Sequence, residues 1–273
     1  MTWEVPSVVA GVDDWPKRWR EKADELVRVD WPNFRRNYTL MEGMQDPPSK
    51  LSAWLKRTRT LGIEDADLVE PEFGNPDGGV YSQRGVLTTT AARHGYYARQ
   101  IFARAGGDID GAHLLEIGGG FGGLVRALHR IPGAGGVGVS RVTLLDAPPC
   151  IELQTCYLRQ VCQKLQVVDY SPDLVFDLVT NTHSLGEMTS SEVARYFGVI
   201  QTQVREGGYF YSANRLRRCV HFEDYPYDGQ WAHEVWFTPM APEPKWVECF
   251  STRCHGALAP HPALALTTAP LLP

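Results

Sequence analysis

The residues with the clearest capacity for chemistry stand in Leu114-Leu115-Glu116-Ile117-Gly118-Gly119-Gly120-Phe121-Gly122-Gly123. An apolar strand runs into closely spaced glycines and then into a helix. Glycine is needed where backbone turns sharply and lies against a ligand without a Cβ in the way. The helix start adds free N–H groups. Two cofactor classes use such a turn. Gly118, Gly120 and Gly123 satisfy the dinucleotide spacing G-x-G-x-x-G. Glu116, Gly118, Gly120 and Gly122 equally satisfy E-x-G-x-G-x-G. The charge separates the two readings. A pyrophosphate is anionic and disfavours a strand-end carboxylate, whereas the ammonium of a methionine moiety is held by one, directly or through water. Glu116 therefore favours S-adenosylmethionine over NAD(P), with a merely exposed strand-end acid as the plain alternative.

Further candidates follow along the chain. Asp146 ends the second strand, where an acid accepts hydrogen bonds from ribose hydroxyls or caps the next helix. Asp169, after the third strand, is placed to meet an adenine amino group, with Tyr170 beside it for stacking. The bland reading is a turn Asp before Ser171-Pro172. Beyond the fourth strand come Asn181, His183 and Glu187. Methyl transfer to a weakly acidic hydroxyl needs alignment and a base. Histidine has the pKa for that work, so His183 is the leading base. Glu187 is the alternative base, or an orienter, or simply part of the next helix start.

After the fifth strand stand His221, Glu223, Tyr225, His233 and Glu234 among Tyr227, Trp231 and Trp236. Rings that stack on sugar faces, mixed with acids that bind hydroxyls, suit a carbohydrate acceptor. The same oxygen ligands would suit Mg²⁺, which could acidify a hydroxyl. A solvated loop with some core aromatics is the competing reading. His221-Phe222-Glu223 lacks the C-x-x-C that a zinc deaminase requires. Neither a G-x-S-x-G elbow nor a Walker A Gly-Lys-Ser/Thr is present.

Alternating strands and helices must position these residues. Strands are expected over 112–117, 142–145, 165–168 and 176–180, with another opening at Tyr209-Phe210-Tyr211. Helices are expected after the glycine turn and from Pro148, where proline suits a helix start. Thr189-Ser190-Ser191-Glu192 has capping-box spacing. Val193, Tyr196, Phe197, Ile200 and Val204 then form one amphipathic face, ended by Gly207-Gly208. Thr88 to Ala105 reads as a helix with Tyr97, Ile101 and Phe102 on one side. Upstream, helices are expected over 14–29 and 49–61, and a Pro/Gly-rich loop over 64–80. The stretch 132–140 reads as an inserted turn. The division is an N-terminal helical cap or lid over 1–85, a donor-binding domain over 86–259 and a disordered tail over 260–273.

The blocks LLEIGGGFGGLVRAL at 114–128, LLDAPPCIELQTCYL at 144–158, FDLVTNTHSLGEM at 176–188 and GGYFYSANR at 207–215 occur in this order. Together they resemble the sugar O-methyltransferases of bacterial polysaccharide pathways, within the class I methyltransferase superfamily. The resemblance covers about residues 85–220. It implies an α/β Rossmann-like sheet of seven strands with the last one antiparallel, a methyl donor at the glycine loop and a sugar or oligosaccharide acceptor. Glu116, Gly118, Gly120 and Asp146 match its donor-binding positions. Asn181, Ser184, Glu187 and Met188 match its block after strand four, and His183 falls within that block.

The 273 residues suffice for one large α/β domain with embellishments. A net charge of -5 argues against a nucleic-acid partner. No basic leader or long apolar run is found, so a cytoplasmic protein without a membrane segment is expected. The 6 cysteines lack C-x-x-C pairing and read as reduced thiols, mostly buried. A cap that packs against a second subunit would make a homodimer.

Overall fold

The computed structural model describes residues 24–26, 28–41, 44–76, 79–82, 84–106, 108–131, 138–215, 224–238, 246–254 and 267–268. The helix expected over 14–29 lies mostly outside these residues, as do most of the inserted turn, His221 and Glu223.

After helical residues at 24–26 and a single helical turn at Tyr38–Met41, the first longer helix among the described residues, α1, is Leu51–Thr60. The stretch read as loop, 64–80, contains a short helical turn at Asp65–Leu68 and leads into a small antiparallel hairpin of β1, Val80–Ser82, and β2, Gly85–Leu87. Then α2, Thr89–Ala105, starts on a Thr88 cap whose side chain accepts from the Ala91 N–H and ends on Gly106 at φ 65°. Beyond it come β3, His113–Ile117; α3, Gly123–Arg130; β4, Arg141–Leu145; α4, Pro148–Val161; β5, Gln166–Val167; and β6, Phe176–Thr182. The expected capping box is present: Thr189 and Glu192 exchange hydrogen bonds and open α5, Ser190–Gln203. Strand β7, Val204–Arg215, follows at once. It begins five residues earlier than Tyr209. Gly207, at φ 71°, forms no helix stop but an irregularity in the strand, where pairing jumps from Phe176↔Val204 to Leu178↔Tyr209. Strands β8, Trp231–Phe237, and β9, Trp246–Arg253, complete the sheet.

The strands lie side by side as β5-β4-β3-β6-β7-β9-β8. All are parallel except β9, which pairs antiparallel with both β7 and β8. This is the seven-stranded Rossmann-like sheet with a reversed last strand. The order steps from β3 outward both ways, so the crevice at the carboxyl ends of β3, β4 and β6 is where such a sheet takes ligands. Two residues of the C-terminal stretch, Thr267–Thr268, add a short β10 parallel to β8.

Alternation along the strands sorts side chains to two faces. Leu114, Leu144 and Leu178 pack with α2, α3, α4 and the N-terminal segment. Leu115, Leu145, Val179 and Phe210 pack with α5. The N-terminal segment shares the first core through Phe34, Met44, Trp54 and Leu68. Phe34 lies edge-on to Tyr157 of α4 at 5.9 Å and tilts against Phe121 of the glycine loop at 6.1 Å.

A buried ion network ties these parts together. Arg35 donates to Glu70 at 2.9 Å, Thr88 donates to the same oxygen at 2.6 Å, and Arg126 of α3 lies 3.6 Å from the other. The two cations hold the Glu70 carboxyl below its usual range in spite of its burial. Removing one partner of such a group strands buried charge at a cost of about 3–5 kcal/mol. Glu70→Ala should therefore lower unfolding free energy by about that much in urea titration. A loss below about 1 kcal/mol, the exposed-pair value, would remove this network from the account of cap docking.

Candidate active site

The glycine turn follows β3 and is set by its neighbours. The Gly118 N–H donates to the Leu145 carbonyl at 3.0 Å, and Gly118, Gly120 and Gly122 all have positive φ. A Cβ on Gly118 would collide with Ser184, and one on Gly119 would stand 2.5 Å from Glu116 Cγ. Gly120 faces Met44 of the N-terminal segment, 3.5 Å from the position of a Cβ. The bare backbone thus serves internal fit.

Asp146 closes β4 beside this turn. Its Oδ1 accepts the Ala147 N–H at 2.7 Å and its Oδ2 accepts from Gln154 at 2.8 Å. Burial pushes its pKa up to about 6, against the pull of those donors and the Gly120 N–H. A carboxylate has about four acceptor directions; Ala147, Gln154 and Gly120 take three, which leaves one for a ribose hydroxyl. Asp169 is exposed just after β5. Tyr170 anchors its hydroxyl on Gln203 at 3.0 Å.

Glu116 differs from its expected role. It is 1% exposed, lies under Gly119, and takes a hydrogen bond from Thr180 on Oε2. Burial, with the Asp146 charge nearby, raises its pKa to about 8. Its carboxyl supports the loop from beneath and does not present a charge at the loop surface.

Asn181 also differs. Its Nδ2 donates to the Ile117 carbonyl at 2.8 Å and to Ser184, while its Oδ1 accepts from the Leu185 N–H at 3.2 Å and from Asn214 at 2.9 Å. An amide offers two donors and two acceptor directions, and all four are used. Asn181 locks the ends of β3, β6 and β7 together and has no direction left for a cofactor.

His183 follows β6 at φ 66°. A non-glycine residue there is uncommon and costs about 1–3 kcal/mol, the kind of strain that gathers at functional sites. Its N–H donates to the Ala213 carbonyl at 2.8 Å, and its ring stacks on Trp246 at 4.0 Å. Arg93 of α2 donates to Nδ1 at 3.2 Å, and Tyr97 Oη lies 3.1 Å from Nε2. A guanidinium can only donate, so Nδ1 is an acceptor and Nε2 carries the proton toward Tyr97. Arg93 is bridged at 2.8 Å to Asp46 of the N-terminal segment. Burial, then Arg93, His94 and Lys50, hold the His183 pKa well below its ordinary value. Glu187 closes the short helical turn Leu185–Glu187 next to it.

His94, 8% exposed, is likewise held well below its ordinary pKa by burial and then by Arg93, Arg35 and Arg126. A histidine kept neutral in the fold gains its proton on unfolding below about pH 6.5. Stability is then complete above that pH and lost as pH falls. Melting temperature should decline from about pH 6.5 downward, less steeply in His94→Gln. Equal declines in the two proteins would contradict this.

Of the candidates after β7, the described Tyr225, His233 and Glu234 do not gather at His183. Tyr225 is buried against Phe197 of α5 at 5.1 Å. His233 pairs with Ser251 at 2.8 Å on the same side of the sheet. Glu234, the next residue on β8, points to the opposite face and pairs with Arg104 at 3.1 Å. Period-two alternation divides a cluster that looked continuous in sequence. Among the described residues no three His, Cys, Asp or Glu side chains are placed to hold a metal, so the expected Mg²⁺ gains no ligand set there. No described helix is long and apolar enough to cross a membrane.

Arg93, Tyr97, Asp46, Trp246, Gln154 and Asn214 are the residues that motif reading missed. The available signal was Arg93, one helical repeat before Tyr97 and two before Ile101, a charge on an otherwise apolar stripe.

No family model matches the sequence, and no curated protein matches it. Among solved structures, the chain aligns with an S-adenosylmethionine-dependent methyltransferase from Clostridium acetobutylicum ATCC 824. Identity is 12% and TM-score 0.46, over 58% of this chain and 91% of that one. It aligns with the glycopeptide N-methyltransferase MtfA at 14% identity and TM-score 0.45, over 57% and 94%. An rRNA methylase from Streptococcus thermophilus gives 7% and 0.42, over 57% and 96%. Likeness at this level transfers no activity, acceptor or site residue; the fold class rests on the strand order itself.

Proposed function

We propose that this chain is an S-adenosylmethionine-dependent O-methyltransferase acting on a hydroxyl of a sugar or oligosaccharide. The observation that carries the donor half is the sheet. A dinucleotide-binding sheet is parallel in the order 3-2-1-4-5-6, whereas here antiparallel β9 lies between β7 and β8. The glycine turn and Asp146 at its crevice fit an adenosyl group: a carboxylate with an acceptor direction to spare for a ribose hydroxyl, and backbone open to close approach. The acceptor half is supported by the resemblance of the motif blocks, and the net charge of -5 speaks against a nucleic-acid acceptor.

The donor supplies a methyl group already activated on a sulfonium. The chain's own tasks are alignment and deprotonation. Asp146 fixes the ribose, while Asn181 and Ser184 hold the crevice floor. His183 takes the hydroxyl proton on Nδ1, in place of the Arg93 hydrogen bond. Arg93 stays on Asp46 when it yields that bond, and Tyr97 keeps the ring in the tautomer with Nδ1 free to accept. Glu187 stands beside this turn as the alternative base.

The test is incubation with a labelled methyl donor and panels of free, nucleotide-linked and polymeric saccharides. Label is expected in alkali-stable methyl ethers of at least one saccharide. Label confined to peptide, RNA or amine acceptors would overturn the acceptor reading.

A further inference from the structure

Four side chains from different parts of the fold meet beneath Gly119: Thr180 of β6, Glu116 of β3, Gln154 of α4, and Asp146 at the end of β4. Thr180 donates to Glu116 Oε2, and Gln154 Nε2 donates to Asp146 Oδ2 at 2.8 Å. Two buried oxygens remain without a partner, Glu116 Oε1 and Gln154 Oε1. They flank one spot: a Cβ on Gly119 would stand 3.1 Å from the first and 2.7 Å from the second. Two acceptors cannot satisfy each other. A proton on the carboxyl would supply the donor that both lack.

The orientation of the Gln154 amide does not alter the count. Turned over, its NH₂ would serve Glu116 and its oxygen would face Asp146, which would then need the proton. An amide that bridges two carboxyls donates to one and accepts from the other, so one carboxyl must be neutral. We propose that Glu116 and Asp146 share a single proton through Gln154, with the proton on Glu116 and the charge on Asp146. Gln154 is then the positioning residue that aims Asp146 at the donor. That last role rests on the donor reading of Asp146; the proton does not.

The surroundings agree with this placement. Glu116 is the more deeply enclosed, and a buried ionised carboxylate with an empty acceptor site costs far more than a hydrogen-bonded neutral acid. Asp146 instead receives the Ala147 N–H, Gln154 and the Gly120 N–H. The titratable neighbours are the two acids themselves and Tyr196 of α5, which feels the Asp146 charge. Burial places Glu116 at about 8 and Asp146 at about 6.

Difference infrared spectroscopy on the donor-free full chain, wild type against Glu116→Gln, tests the shared proton. A protonated-carboxyl band is expected in the wild type near neutral pH. The component that the variant lacks should fade from the wild type as pH rises through about 8, while the Glu248 carboxyl, raised to about 7 by burial, is common to both proteins and cancels in the difference. No such component in the difference at neutral pH overturns the proposal. Melting temperatures give a second readout. The folded pKa is raised above the unfolded value, so stability is present at low pH and lost as pH climbs from about 4.5 to about 8. Glu116→Gln, which keeps both hydrogen bonds without the proton, should gain on the wild type over that window; a constant gap would overturn the proposal. Gln154→Leu should weaken S-adenosylhomocysteine binding at least about tenfold, the worth of one lost hydrogen bond to a charged group. Unchanged affinity would remove Gln154 as a positioning residue. Failure of the wild type to bind S-adenosylhomocysteine would overturn the donor reading, and with it the positioning role, while the infrared band would still report the proton.

Discussion

Asp146→Ala should weaken S-adenosylhomocysteine binding by about tenfold to a hundredfold. A ribose hydroxyl bonded to this charged group contributes about 1.5–3 kcal/mol, where each 1.4 kcal/mol is tenfold. The variant also releases the Ala147 N–H and Gln154, which Asp146 now holds at 2.7 and 2.8 Å, so the turn loses its anchor together with the ligand contact. Asp146→Asn keeps one acceptor oxygen and should fall between the two. Because burial raises the Asp146 pKa to about 6, donor affinity of the wild type should decline as pH falls through that value. Isothermal titration calorimetry reads all of these. Unchanged affinity in Asp146→Ala would end the ribose assignment.

The second large effect concerns His183. Its replacement should lower kcat by about 10²–10⁴, the range for loss of a general base, and leave donor affinity nearly intact. Asparagine is the better substitute, because it tolerates the left-handed backbone that His183 holds at φ 66°. Loss of turnover in His183→Asn then reports the imidazole and not a rearranged turn. The depressed pKa has a sign that can be checked. A base held neutral well below its ordinary value stays competent as pH falls through about 6.5. The rate should therefore be flat across that range, its acid limb lying lower. Wild-type turnover in His183→Asn would transfer the proton-removing role to Glu187.

Much of the scaffold was legible because its signals are local. The Thr189–Glu192 box and Pro148 at a helix start each declare a helix end in a few residues. The glycine turn and Asp146 were legible because their positions follow from strand ends. Gly207-Gly208 misled, since a glycine pair reads as a stop whether it ends a helix or kinks a strand. Glu116 and Asn181 were expected to contact the cofactor, and their side chains turn inward. Sequence spacing brings them to the crevice; only packing shows that one is sealed under Gly119 and the other spends every hydrogen bond inside the protein. Arg93 and Asp46 lie 90 and 137 positions from His183, and no local pattern encodes that they converge. The run from Tyr225 to Glu234 shows the reverse case. It is contiguous in sequence, and strand alternation sends its members to opposite faces.

Calorimetric titration of the full chain with S-adenosylhomocysteine, with NADH and NADPH in parallel, decides which cofactor the glycine turn takes. Binding of S-adenosylhomocysteine alone, in the micromolar range, is the predicted result. Binding of a nicotinamide nucleotide in its place would contradict it, and the glycine turn would then belong to an oxidoreductase.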